Sequence, residues 1–335
     1  MPPLPLATPV PSDGLRRRTV LAASVAGSLA LAGCAAPRRD ALAGNGWSPL
    51  PDLPVGVAKF ALAARGGRLF VMGGYDTLRR VWILDLVERR WQPGPPLPRG
   101  TDNAAGATVG DEVLAIGGEA GRALQRLDAS GTRWTSGPDA PAVRFGAAVA
   151  MRAGLVHVAG GWNADNRASA SLVRHDVYDA AATTWRTAAP LAVARNAAGA
   201  ATLDGRVWVV GGRSPGIRRG DQSPLASVEA YDPAADRWNA AAPLPVARGS
   251  LAVAALGAHL YAFGGEEADG RVSARVDRYE PGRDRWESLP PMPHAAHGLG
   301  AVTVGDAIIV VGGFAGSSDA VGSEHATAWR YVPPA

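Results

Sequence analysis

The 335-residue chain sets 34 Lys and Arg against 30 Asp and Glu, a formal charge of +4, with 47% hydrophobic residues and a single cysteine. That balance fits a globular chain with a sizeable core and excludes a disulfide framework. Arginines are scattered, Lys59 is the only lysine, and no basic run alternates with aromatics beyond the N-terminus, so a nucleic-acid partner is excluded.

Residues 1 to 33 read as an export signal. Arg16-Arg17-Arg18 precedes an apolar stretch that ends near Ala32, too short to span a bilayer. The paired arginines resemble a twin-arginine signal, although no Ser or Thr precedes them, which leaves the general secretory route open. Leu31-Ala32-Gly33-Cys34 resembles a bacterial lipobox, which implies lipidation of Cys34 and anchoring at the periplasmic side of the envelope; a buried Cys34 is the plainer alternative. Residues 34 to 45 form a tether, and loss of residues 1 to 33, with Asp13 and three arginines, lowers the formal charge from +4 to +2.

From residue 46 to 335 the chain repeats. Gly-Gly doublets stand at Gly73-Gly74, Gly117-Gly118, Gly160-Gly161, Gly211-Gly212, Gly264-Gly265 and Gly312-Gly313, spaced 43 to 53 residues apart, each closing an apolar run. Trp91, Trp134, Trp185, Trp238 and Trp286 follow them, with Tyr178, Tyr231 and Tyr279 seven residues before the last three and Leu84 and Leu127 in that slot earlier. This pattern resembles the Kelch repeat, which implies an all-β, six-bladed propeller with four strands per blade. The sixth copy reaches Tyr331, and Trp47 supplies its Trp, so the N-terminal segment is expected to close the last blade as its outermost strand. One closed domain is expected, and a monomer.

Each copy reads as strands a to d, strand a running for instance from Gly249 to Ala255. The a–b and c–d turns are short, whereas the b–c connections vary from Glu119–Ala123 to Arg213–Ser227, so function is expected on the b–c/d–a face. Two rings of side chains are expected there. Arg144, Arg195 and Arg248 lie sixteen residues before their doublets, with Thr101 and Ala296 in register, His294 and His297 flanking Ala296, and Lys59 two residues late. Residues following the doublets form the second ring: Tyr75, Glu119, Trp162, Arg213, Glu266 and Phe314. Aromatic, carboxylate and guanidinium groups together suit a sugar or a partner protein. A structural role stands beside each: the arginines as hydrogen-bonding struts, the second ring as filler, and His157, in a slot otherwise held by apolar side chains, as a packed core residue.

The resemblance extends to two enzymes. Galactose oxidase-like propellers use copper with a Tyr–Cys cross-link, which this chain cannot form once Cys34 is lipidated; neither a cofactor nor a metal is expected, His294 and His297 being a weak metal signal. Propellers similar to N-acetylneuraminate mutarotase imply an alternative, a sugar isomerase with Glu266 or Glu267 as acid–base and the arginines clamping an acidic sugar. Arg219-Gly220-Asp221 is a chance match to an adhesion tripeptide. The leading expectation is a lipid-anchored binding module for a carbohydrate or a partner protein, an envelope scaffold being the third reading.

Overall fold

The computed structural model describes residues 46–163, 170–214, 222–317 and 319–334. The signal segment, the lipobox with Cys34, the tether and Arg219-Gly220-Asp221 lie outside the described residues. Among the described residues no helix is long and apolar enough to cross a membrane.

Six four-stranded antiparallel sheets follow one another. The first blade is built from Ala61–Arg65, Arg68–Met72, Val81–Asp85 and Arg90–Pro93. The fourth is built from Gly199–Leu203, Arg206–Val210, Val228–Asp232 and Arg237–Ala241. Second strands such as Arg68–Met72 and Arg206–Val210 are buried from their second residue onward, because each sheet is covered on both faces by its neighbours. Cores therefore lie between blades: Tyr261, Phe263 and Val276 of the fifth pack on Ile308 and Val310 of the sixth.

The sixth sheet runs Trp47–Pro49, Ala328–Tyr331, Ala307–Val311, Gly300–Val304 from rim to channel. Trp47 pairs with Tyr331, ring centroids 4.4 Å apart, so the N-terminal strand closes the last blade as its outermost member. The repeat tryptophans fasten neighbouring blades at the rim. Trp91 Nε1 donates to Pro51 O at 2.8 Å across the closure, and Trp238 Nε1 donates to Ala189 O at 2.8 Å.

The doublets have a specific task. Gly212 N–H donates to Arg248 O at 2.9 Å, and a Cβ on Gly211 would stand 2.7 Å from the same oxygen. The same pairing recurs from Gly161 to Arg195 O and from Gly265 to Ala296 O, each at 2.8 Å. Each doublet thus bolts one blade onto the first strand segment of the next. Gly211 has φ +62°, a conformation cheap only for glycine.

Around the channel a second device closes the ring. The amides of Lys59, Asn103, Gly146, Ala197, Ser250 and Gly298 each donate to the carbonyl of the equivalent residue one blade back, Lys59 to Gly298, at 2.7–2.8 Å. All six are left-handed, φ between +48° and +63°. This turn also moves the start of strand a: in the fifth blade it begins at Ala252, three residues later than Gly249. Positive φ at Ser250 breaks the ladder, and Gly249 instead forms an isolated bridge with Glu266.

Candidate binding site at the channel mouth

On the b–c/d–a face, above the ring of left-handed residues, opens a cavity of about 410 Å³. Tyr75, Glu119, Trp162, Arg213 and Glu266, five of the six residues that follow the doublets, line it. Short backbone bridges hold them in place: Trp162 pairs with Phe145, Arg213 with Asn196 and Glu266 with Gly249. Phe314 is fully buried behind this lining, its ring 5.5 Å from that of Tyr75. Asp102, Asn103, Phe145, Asn196, Ser250 and Asp319 join the wall. Most come from the left-handed turn just before strand a, one or two places beyond the arginine slot, where no single residue type recurs from copy to copy.

Arg144, Arg195 and Arg248 are the main correction. They do not line the cavity but are buried inside their own blades. Arg195 Nη1 donates to Gly211 O at 2.9 Å and Ser227 O at 2.8 Å, while Nη2 meets Glu229 Oε1 at 2.7 Å. Arg248 donates to Gly264 O at 2.9 Å and pairs with Asp277; Arg144 donates to Val158 O at 2.8 Å and pairs with Asp176. Burial pushes Arg144 down to about 9, which leaves it charged at neutral pH. For Arg195 burial lowers the guanidinium and Glu229 opposes it. Arginine reaches these carbonyls because its fork offers several donors; the Nη donors find carbonyl and carboxylate acceptors, while Nε of Arg144 and Arg248 is buried without one among the described residues.

The histidines separate as well. His294 stacks on His325, centroids 3.9 Å apart, and its Nε2 lies 3.1 Å from Thr327 Oγ1. His297 turns the other way: it is buried, outside the cavity lining, with Nε2 3.0 Å from Gly316 O and Nδ1 3.4 Å from Glu266 Oε2. Glu266 pairs directly with Arg213, and His297 Nδ1 stands beside it without a hydrogen bond to it. Glu267 is not in the lining and faces Arg271 at 3.9 Å. His157 is a packed core residue, Nδ1 3.0 Å from His175 Nε2 beneath Tyr231. Among the described residues no three His, Cys, Asp or Glu side chains converge on a point that could hold a metal ion.

The lining is acidic in balance, unlike the arginine clamp that an acidic sugar would require. Two cations, Lys59 and Arg213, stand among four carboxylates, Asp102, Glu119, Glu266 and Asp319. Both cations are engaged, Lys59 with Asp319 and Arg213 with Glu266. Lys59 Nζ also lies 5.6 Å from the Tyr75 ring centroid and 5.8 Å from that of Phe314. Walls of this kind offer aromatic faces, amides and carboxylates, and hold no free guanidinium among the described residues.

A family model described as the Kelch motif matches residues 58–98, 194–245 and 247–293. Kelch-like protein 35 of Mus musculus is 26% identical over 229 residues, covering 67% of this chain and 38% of that protein. Alpha-scruin of Limulus polyphemus is 25% identical over 215 residues, covering 59% of this chain and 23% of its own. The chain therefore spans well under two thirds of the length of these relatives. The solved structure of YjhT superposes with a TM-score of 0.72 at 15% identity, covering 83% of this chain and 95% of that one, a likeness of fold.

Proposed function

Because this chain is a six-bladed Kelch-repeat propeller, we propose that it is a binding module that seats a segment of a partner protein in the channel-mouth cavity. The observation that carries this reading is the convergence of five post-doublet side chains, one from each of five blades, on one cavity. A volume of about 410 Å³ falls in the range that binds small groups or a few side chains. Kelch-repeat propellers typically serve as protein-binding modules, which supports a protein ligand. The floor is rigid, since its backbone donors are already bonded around the ring, so little ordering cost accompanies binding.

A saccharide is the second reading, favoured by Tyr75 and Trp162 beside Asn103, Asn196 and Ser250. An isomerase acting on an acidic sugar has less support, since the arginines meant to clamp the carboxylate are bound within their blades. The N-terminal residues support export and lipid anchoring through Cys34 as part of the same proposal. A panning experiment with displayed random peptides, counter-selected on a Trp162→Ala variant, tests the module. Enrichment of cavity-dependent peptides supports it; enrichment indifferent to Trp162, or none at all, removes it.

A further inference from the structure

The cavity contains one cation site of its own making, and a second aromatic pair lines the same cavity as an exposed carboxylate. In the first, the Lys59 ammonium lies over the rings of Tyr75 and Phe314 and pairs with Asp319. Those two rings meet edge to face, centroids 5.5 Å apart at 79°. In the second, Phe145 and Trp162 meet edge to face, centroids 6.2 Å apart at 66°. Glu119, which leads out of the preceding doublet, lines the same cavity and is exposed. Among the described residues no cation lies over this second pair, and Glu119 has no hydrogen-bonded or ionic side-chain partner.

We propose that the sector formed by Phe145, Trp162 and Glu119 is a receptor for a basic side chain, the guanidinium or ammonium of an Arg or Lys in the bound segment. The inference rests on the binding-module reading. Its chemistry is that of Lys59 on the other wall: the negative face of an aromatic ring attracts the cation, and a carboxylate supplies the directional contact. Trp gives the strongest such face of the aromatic residues. An acidic ligand would instead meet Glu119 and Asp102 as like charges.

The library selection separates the two claims. Selected peptides should be enriched in Arg or Lys, and the tightest of them, titrated by calorimetry, should bind Glu119→Gln about 10-fold more weakly than the wild type, with affinity falling as salt rises. Glu119 is exposed, so this variant folds whatever Trp162→Ala does. Cavity-dependent peptides that are neutral or acidic, or basic ones indifferent to Glu119→Gln, overturn the receptor while leaving the module. A library that yields no cavity-dependent peptide overturns both.

Discussion

Arg195 and Glu229 form a buried ion pair inside the fourth blade, Nη2 to Oε1 at 2.7 Å, both side chains almost wholly withdrawn from solvent. The remaining Arg195 donors end on Val193 O, Gly211 O, Ser227 O and Ser227 Oγ, and Glu229 also accepts the amide of Ala192 at 2.7 Å. Removing one member leaves the other charge buried and uncompensated. Arg195→Ala should therefore cost about 3–5 kcal/mol in urea unfolding. The double change Arg195→Met with Glu229→Leu should cost less than the single one. A variant as stable as the wild type would show that the pair carries no structural role.

Gly211 abuts the carbonyl of Arg248 with positive φ, so Gly211→Ala introduces both a clash and backbone strain. Left-handed backbone alone costs a non-glycine residue about 1–2 kcal/mol. The expected loss, read from denaturant midpoints, is larger than that, about 2–4 kcal/mol once the contact is counted. Gly205→Ala, in an open turn where a Cβ meets nothing within 4 Å, should show the strain without the clash. Equal losses at the two sites would contradict the bolting role of the doublet.

Burial holds His157 at about 3, and His175 and His294 at about 4, below the ordinary histidine value near 6.5. Neighbouring positive charge adds to this at His157 and His294. Unfolded chains take up protons near pH 6.5 that the folded state refuses, so stability is full above about pH 6.5 and falls as the pH drops toward 4. Each such group contributes up to about 1.4 kcal/mol per pH unit across that window. Melting temperature should decline between pH 7 and pH 5, and less steeply in His157→Leu, which carries the side chain found at Leu114 in the second copy. Parallel declines would assign the acid sensitivity to other groups.

The proposed lipid anchor at Cys34 is tested by mass and partitioning. Intact mass of native protein should show diacylglycerol on an N-terminal Cys34, and detergent phase partitioning should retain it, with Cys34→Ala losing both. Equal partitioning without added lipid mass would discard the anchor.

Much of the architecture was readable because its residues recur. Gly-Gly, Tyr and Trp stand at fixed offsets, and the closure by Trp47 followed from one missing strand. The cavity lining was readable for the same reason, the post-doublet position being fixed by the glycine turn. The arginine slot points to the channel mouth only when it is taken without its partner. Asp176, Glu229 and Asp277 each lie two residues before a repeat tyrosine, in the three copies that carry the arginine, whereas Trp82, Gln125 and Trp329 hold that place elsewhere. That pairing of slots was the available signal. No sequence signal marked the left-handed ring, where Lys, Asn, Gly, Ala and Ser share a backbone conformation and no side-chain chemistry.

The seat of the ligand is tested most directly by placing a photo-crosslinking benzoylphenylalanine at Tyr75, in the cavity wall, and separately at Val87, in an exposed c–d turn on the opposite face. Irradiation of the native host should trap a partner from Tyr75 and none from Val87. Adducts at Val87 alone, or at both sites equally, would contradict binding at the channel mouth.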